Sequence, residues 1–248
     1  MSKIDLKETD TRAPKDFDKE ETKEKLEKIL PELDELQNLL YAESKNSLLV
    51  VIQGMDASGK DGTIRNVFGK LNSQGVLVKS FKAPTDEELS HDFLWRIHSH
   101  APYKGVIQLF NRSHYEDILV TRVHNWIDDK TAKKRMQAIN DFERLLTDHN
   151  DTHILKFYLH ISPDEQKARL DERIHNPSKQ WKYNADDFKE AKLWDTYLEM
   201  YEDCFENCSE PPWTIVPSDQ NWYKEWVIAT TVRDTLKKLN MQYPGLKK

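Results

Sequence analysis

The sequence predicts an α/β fold in which a five-stranded parallel sheet is flanked by helices. Short apolar runs alternate along the chain with longer segments of helical periodicity, a pattern typical of a parallel sheet with helices on both faces. Some of these runs, such as SLLVVIQG from Ser47 to Gly54, are almost entirely apolar, as strands buried on both faces are. The 248 residues are enough for one sizeable core.

Residues 1–46 precede the first strand and are expected to form a helical arm. Leucines recur there at helical spacing, at positions Leu26, Leu30, Leu33, Leu36 and Leu40. Pro31 interrupts the series, so we expect it either to begin a second helix or to kink the first. Residues 47–240 would then form the main domain and residues 241–248 a short tail.

The remaining elements follow in chain order. Strand candidates are residues 47–54, 76–82, 105–111, 154–162 and 213–218. Helices are expected after Lys60 and over residues 86–98, 131–148, 163–174, 186–206 and 222–240. Capping boxes are predicted at two helix starts, Thr85–Glu88 and Ser162–Glu165.

Composition narrows the class of protein. The net charge of -6 argues against a general DNA- or RNA-binding protein, whose affinity comes largely from basic surface. The chain has neither a run of eighteen apolar residues nor the apolar core of a signal peptide, so we expect no membrane partner and a cytoplasmic location. Its two cysteines, Cys204 and Cys208, lie four residues apart without nearby histidines, which makes a disulfide framework or zinc site an unfavoured interpretation.

A phosphate-binding loop is predicted where the first strand ends. Residues 54–60, GMDASGK, match the pattern G-x-x-x-x-G-K between a strand and a helix. The glycines allow a tight turn whose backbone N–H groups can surround an anion. The predicted phosphate-binding residues of this loop are Gly54, Ala57, Ser58, Gly59, Lys60, Asp61 and Gly62. The competing interpretation is a glycine-rich turn that binds nothing.

The residue after the loop lysine departs from the usual pattern. Ser or Thr ordinarily ligates Mg²⁺ from that position, whereas this chain has Asp61. A carboxylate is also a hard oxygen ligand, and a second one, Asp56, lies inside the loop. Negative charge beside a bound phosphate is unfavourable unless a cation lies between them. We therefore expect these carboxylates to contact Mg²⁺, with Mn²⁺ able to replace it.

A second motif makes the prediction more specific. The segment FNRSHYEDILVTRVH, residues 110–124, follows the third strand and has Asn111 where a metal-binding carboxylate is expected. Together with GMDASGKDGTI and residues 156–203, it resembles the second family of polyphosphate kinases, and the resemblance runs from about Leu26 to Leu239. It implies a thymidylate-kinase-like P-loop kinase fold with a helical lid around residues 163–187.

The resemblance also implies an activity. Members transfer phosphoryl groups between inorganic polyphosphate and nucleotides with Mg²⁺, so we expect reversible transfer of the terminal phosphoryl group to AMP or ADP. The combination of Asp61 with NRSHYED resembles the subgroup that accepts both nucleoside mono- and diphosphates, and GMP and GDP are included among the expected acceptors. A homodimer or homotetramer is the expected assembly.

Carried onto matching positions, the family roles give three overlapping sets. The catalytic residues would be Asp56, Lys60, Arg112, Arg169 and Arg173. The metal ligands would be Asp56, Asp61 and Glu116, and the second motif would act through Asn111, Arg112 and Glu116. We expect Glu116 to supply the negative charge that Asn111 lacks, and the alternative is that Glu116 only pairs with Arg112 or Arg122.

The predicted lid carries a row of cations. Arg169 and Arg173 are four residues apart and should project from one face of a helix, an arrangement that suits a row of phosphates. Lys179 and Lys182 extend the row, and Arg122 is expected on the opposite wall, so these three complete the predicted phosphate-binding set. The alternative is that the lid arginines pair with acidic residues nearby.

Two other functions compete with this one. An ATP-dependent kinase of a nucleotide or small hydroxyl compound could use Asp56 as its base. A non-catalytic polyphosphate or nucleotide sensor would explain Asp61 and Asn111 as traces of lost chemistry.

Overall fold

The computed structural model describes residues 4–246 and contains the predicted five-stranded parallel sheet. The strands lie in the order β2-β3-β1-β4-β5. Their bounds are β1 Ser47–Gly54, β2 Val76–Ser80, β3 Ile107–Asn111, β4 Thr152–His160 and β5 Trp213–Pro217. All five predicted strands are confirmed, with β4 beginning two residues before its predicted start.

Strand β1 is the centre of the sheet because it is buried along its whole length. Val50 pairs with Leu109 of β3 on one side and with Leu155 of β4 on the other. Successive side chains of β1 enter opposite layers, so Leu49 joins one hydrophobic core and Val50 the other. Both faces of the sheet are therefore covered, as the apolar runs predicted.

The helices fill these two layers. They are α1 Lys19–Glu43, α2 Lys60–Thr63, α3 Asp86–Leu89, α4 Trp95–His98, α5 Val120–Val123, α6 Asp129–Asn150, α7 Pro163–His175, α8 Ala185–Glu190, α9 Trp194–Asn207 and α10 Asn221–Lys238. Helices α1 and α10 contribute to the core that contains Val50, and helices α6 and α9 to the core that contains Leu49. None of the helices within residues 4–246 is both long and apolar enough to cross a membrane.

The N-terminal arm differs from its prediction in two ways. No second helix begins at Pro31, because α1 runs through that residue as one helix. A proline inside a helix costs about 3 kcal/mol, but Leu30 and Leu33 on either side are buried, and each such burial contributes about 1.5–3 kcal/mol. In addition, residues 4–18 are not helical, and Leu6 is buried in the core that contains Leu49.

Two predicted helices are divided in the structure. Residues 86–98 form the single turns α3 and α4, since the Asp92 side chain accepts a hydrogen bond from the Leu94 N–H and turns the chain between them. Residues 185–207 form α8 and α9, separated by a 3₁₀ turn. These breaks are local, and the helices still lie between the predicted strands.

The two predicted capping boxes have different outcomes. At the start of α3, Thr85 and Glu88 bond each other's backbone N–H groups, so that capping box is confirmed. At the start of α7, Ser162 accepts from the Glu165 N–H, but the Glu165 carboxylate instead accepts from Arg169. The Glu165 side chain, which would complete the second capping box, therefore contacts Arg169 of the site described next.

Candidate active site

The glycine-rich loop lies at the carboxyl end of β1 and leads into α2. Gly54 and Gly59 have φ values of 151° and 97°, which favour glycine. A Cβ atom on Gly54 would lie 2.9 Å from the Leu159 carbonyl oxygen, and one on Gly59 would collide with the Lys224 ammonium. Both glycines are therefore required by conformation and by close neighbours. Ala57 also has a positive φ, 64°.

Lys60 is a buried cation whose hydrogen-bond partners among residues 4–246 are backbone oxygens. Its Nζ donates to the carbonyls of Gly54 and Met55 at 2.7 and 3.1 Å. Burial, reinforced by repulsion from Arg112, lowers the pKa of Lys60 to about 8. At neutral pH the ammonium is still mostly charged, and an anion bound in the loop would offset its desolvation.

Arg112 follows β3 directly and bonds two of the predicted carboxylates. Its guanidinium donates to Asp56 and, at 3.1 Å, to Glu116. Attraction to Glu116, with a further contribution from Asp56, raises the pKa of Arg112 above its usual range. The pairing of Glu116 with Arg112 is the alternative that the sequence left open for this residue.

The predicted metal ligands have the chemistry that Mg²⁺ prefers, but the three carboxylates do not come together as one ligand group. Asp56, Asp61 and Glu116 provide the hard oxygen atoms that Mg²⁺ prefers. Within residues 4–246, however, no three His, Cys, Asp or Glu side chains form a group that could hold a metal ion. Because Arg112 lies between Asp56 and Glu116, a metal at this position would need ligands from phosphate or water as well.

Asp61 contacts both the second motif and the lid. It accepts hydrogen bonds from Asn111 Nδ2 at 2.8 Å and from Lys182 Nζ at 3.1 Å. Partial burial acts to raise its pKa, but these two hydrogen bonds and the charge of Lys182 leave the pKa of Asp61 below its usual value. Asp61 thus joins three segments that are remote in sequence.

Arg169 lies beneath the phosphate loop. Its side chain donates to the carbonyls of Ala57 and Ser58 at 3.0 and 3.2 Å and to Glu165 at 2.8 Å. It also donates to the carbonyls of Ser218 and Asp219 at 2.8 and 3.0 Å. The guanidinium therefore joins the loop, α7 and the segment after β5.

The other predicted cations have carboxylate partners. Arg173 pairs with Asp187, and Lys179 pairs with Glu172 at 2.6 Å. Arg122 lies between Asp129 and Asp203, with N–O distances of 2.9 and 2.6 Å. The structure brings Lys60, Asp61, Arg112, Arg169 and Lys182 to the loop through direct contacts, whereas Arg122 and Lys179 contact acidic residues outside it.

A cleft opens beside the loop at Asp56 and Arg112. Leu119, Tyr197 and Tyr201 form part of its wall, and Glu190 contributes a carboxylate that accepts from the Tyr197 hydroxyl at 2.6 Å. Glu116 and Gln166 also line the cleft, so its wall is partly charged and polar rather than apolar.

Sequence reasoning missed Lys224. Its Nζ donates to the Ser58 carbonyl at 3.1 Å and to Asn221 Oδ1 at 2.9 Å. A signal was present, because Lys224 precedes Ile228, Val232 and Leu236 at intervals of four and so lies on the apolar face of α10. A lysine at such a position must find a buried partner.

Sequence reasoning also missed a buried ionic cluster behind the second motif. The Lys156 ammonium donates to Glu143 at 2.8 Å and to the Tyr115 hydroxyl at 2.9 Å, and His114 contacts the same carboxylate at 3.2 Å. Burial acts to raise the pKa of Glu143, but the hydrogen bond from His114 and the charge of Lys156 hold it below its usual value. The cluster anchors the turn that carries Glu116.

Comparison with known proteins identifies the family. The model of the polyphosphate kinase 2 family matches residues 16–244 of this chain. The chain belongs to the polyphosphate kinase 2 family. A curated relative of the chain, an AMP/ADP-polyphosphate phosphotransferase from Meiothermus ruber, is 50% identical over 214 residues, which cover 86% of this chain and 80% of the relative. An ADP-polyphosphate phosphotransferase from Rhodopseudomonas palustris is 39% identical and covers 98% of this chain and 89% of its own length.

The fold agrees with a solved structure of the same family. The crystal structure of polyphosphate kinase 2 from Arthrobacter aurescens superposes with a TM-score of 0.96 at 40% identity, covering all of this chain and 90% of that one. The predicted P-loop kinase fold is confirmed, and so is the resemblance to the second polyphosphate kinase family.

Proposed function

We propose that this protein transfers the terminal phosphoryl group of inorganic polyphosphate to AMP and ADP, reversibly and with Mg²⁺. The observation that carries this proposal is the loop geometry, in which the buried Lys60 bonds no carboxylate within the described part of the chain and lies beside Arg112. Family membership gives the donor, and the name of the Meiothermus ruber relative supports both adenine nucleotides as acceptors. GMP and GDP are further acceptors to be tested.

The reaction does not require a strong general base. The phosphate group of a nucleotide is largely ionised near neutral pH, because the second pKa of a phosphate monoester is about 6. Catalysis then consists of aligning donor and acceptor and offsetting the charge on the oxygens of the transferred group. Lys60 donates within the loop and Arg112 bonds Asp56 of the loop, and Arg173 would act from α7.

The acidic residues would hold Mg²⁺ at the same place. Asp56, Asp61 and Glu116 would hold it, with Mn²⁺ as a substitute. Mg²⁺, when bound, neutralises charge on the bridging phosphate oxygens. Arg112 would then exchange part of its contact with Asp56 and Glu116 for the transferred phosphoryl group.

The experiment is an assay for ATP with Mg²⁺, long-chain polyphosphate and either AMP or ADP. We expect ADP and ATP from AMP, ATP from ADP, and no product without polyphosphate. Reaction only with ATP and a hydroxyl compound would instead establish the rival kinase. Binding of polyphosphate without turnover would establish the sensor. The Lys60→Met variant, matched with Lys70→Met on exposed surface, controls for a contaminating kinase.

Further parts of the proposal concern organisation. We propose a homodimer or homotetramer, to be tested by light scattering, with residues 1–46 as an arm, residues 47–240 as the catalytic domain and residues 241–248 as a tail. The cytoplasm is the proposed compartment. The lid around residues 163–187 would cover bound phosphate with Lys179 and Lys182, and Arg122 would face it from the opposite wall.

A further inference from the structure

Lys224 is a buried ammonium group to which no carboxylate of the described residues is bonded. The residue is 1% exposed, and its two hydrogen-bond partners are the neutral oxygens of Ser58 and Asn221. Burying a charge is unfavourable unless it is paired, so such an arrangement requires an explanation. Lys156, equally buried, provides the contrast, because it has the Glu143 carboxylate at 2.8 Å.

The position of Lys224 suggests which charge would offset its own. The ammonium lies directly against Gly59, where even a methyl group would collide with it. Gly59 is the last loop residue before Lys60 and α2, so an anion held by this loop would lie on the other side of a thin layer of backbone. The described residues provide no negative charge bonded to Lys224, and a phosphate bound in the loop would supply one.

Lys224 also controls the direction of a backbone donor. A trans peptide is planar, so its C=O and N–H groups point in opposite directions. The Ser58 carbonyl points toward Lys224 and Arg169, which bond it at 3.1 and 3.2 Å. The Gly59 N–H of the same peptide must therefore point away from these cations, toward the interior of the loop.

We propose that Lys224 is a positioning residue that holds the Ser58–Gly59 peptide for phosphate binding, and that the phosphate chain binds together with protonation of Lys224. This inference rests on the proposed function in one respect, since it assumes that the ligand of the loop is a phosphate chain. Lys224 does not touch the ligand; it acts through the peptide and through its charge.

The charges around Lys224 define the expected pH dependence. Burial, then repulsion from Arg169 and Lys60, lowers the pKa of Lys224 to about 7, and Glu225 and Glu165 only partly oppose this. A bound anion would raise it again, so binding above pH 7 takes up a proton and weakens as pH rises. The stability of the ligand-free protein has the opposite pH dependence. The unfolded state binds more protons between pH 7 and the ordinary lysine pKa, so this group makes unfolding less favourable as pH rises there.

Calorimetric titration with inorganic tripolyphosphate at pH 8, in two buffers of different ionisation enthalpy, tests the proposal without turnover. Wild-type protein should take up protons when it binds tripolyphosphate. The Lys224→Met variant should take up fewer protons per bound ligand, with a difference of at most about one, and should bind about tenfold more weakly. Lys238→Met, the same substitution at an exposed position of α10, should behave as wild type. Titration of the ligand is common to all three proteins and cancels in the comparison. Equal proton uptake and affinity in Lys224→Met and wild type would overturn the proposal.

A second variant covers the case in which Lys224→Met does not fold. Asn221 is exposed and begins α10, so Asn221→Asp is compatible with the helix N-terminus. Its carboxylate would keep Lys224 protonated at pH 8, and the Lys224 share of the proton uptake should disappear. Unchanged uptake would overturn the proposal. If the wild-type protein turns over polyphosphate but the variants take up as many protons as wild type, only this inference is overturned. If proton uptake depends on Lys224 but the wild-type protein does not turn over polyphosphate, this inference is supported and the proposed function is contradicted.

Discussion

Arg169 and Arg173 lie one turn apart on the same face of α7, yet their surroundings differ. Arg169 bonds four backbone carbonyls, two of the phosphate loop and two after β5, in addition to the Glu165 carboxylate on its own helix. Arg173 pairs with one carboxylate, Asp187. A carbonyl partner leaves no negative side chain to be replaced by phosphate, whereas a carboxylate partner can be exchanged for one. Spacing along a helix predicts the direction in which a side chain projects. Its hydrogen-bond partner determines whether the side chain stabilises the fold or can exchange that partner for phosphate.

The same distinction separates two regions of the site. Beneath the loop, Arg169 and Lys224 hold backbone oxygens. On the lid, Arg173, Lys179 and Lys182 hold carboxylates. We expect the first region to act mainly on stability and geometry, and the second to exchange its partners for phosphate.

Lys60 is the residue that would break this comparison, because it has carbonyl partners yet faces the loop interior. We expect Lys60→Met to reduce turnover by at least ~10³-fold, since cations on a transferred phosphoryl group have effects of this size. Its unfolding free energy should change by less than about 1 kcal/mol, because a desolvated charge is removed along with its bonds. Steady-state kinetics and thermal unfolding measure both effects. Turnover within tenfold of the Lys70→Met control would contradict the catalytic role.

Arg173 tests the exchangeable region. Arg173→Ala should lower turnover by about 10²–10³-fold with little change in melting temperature, because one partly exposed ion pair contributes little to stability. Asp187→Ala should leave Arg173 free to bind phosphate and keep most of the activity. If Asp187→Ala is as inactive as Arg173→Ala, the ion pair itself is what the enzyme needs. Lys167→Ala, exposed on the same helix, is the matched control.

Arg169 tests the fastening region. Arg169→Met should lower the free energy of unfolding by about 2–4 kcal/mol, because it leaves several buried carbonyls without a donor. Turnover of the folded fraction should fall by only about tenfold, through a less ordered loop. Chemical denaturation and kinetics at low temperature separate the two effects. Normal stability with turnover lost as in Lys60→Met would assign Arg169 to catalysis.

Lys182 and Lys179 give the smallest expected difference. Lys182 reaches Asp61 of the loop at 3.1 Å, while Lys179 pairs with Glu172 of α7. Lys182→Ala should raise the KM for polyphosphate by about fivefold, because its pair with Asp61 lies at the loop, and Lys179→Ala by less than about twofold, since an exposed pair contributes at most about 1 kcal/mol. If both variants raise the KM equally, contact with Asp61 does not determine which lid lysine binds polyphosphate.

Much of the fold could be predicted because its signals are local. The apolar run of β1 and the capping box at Thr85 depend on neighbours within a few residues. Of the two alternatives at Pro31, a second helix and a kink, the structure excludes the second helix, because packing outweighed a local preference there. Burial of Leu30 and Leu33 outweighs the loss of the helical hydrogen bond that Pro31, which has no N–H, cannot donate.

The candidate site divides in the same way. Gly54, Gly59 and Lys60 were identified from one short motif, since the loop is a single segment of chain. The contacts of Arg169 with Ala57 and of Lys224 with Ser58 span 112 and 166 residues. No periodicity in the sequence encodes such a distance.

By itself, the sequence determined the five strands, the anion-binding loop and the set of cations available to a phosphate chain. Only the tertiary structure decided which cations bond backbone carbonyls and which bond carboxylates. The physical reason is that hydrogen-bond partners are set by the meeting of β1, α7 and α10 at one end of the sheet. That meeting also buries Lys224 against Gly59, where a single ammonium group lies within reach of the loop that the motif encodes.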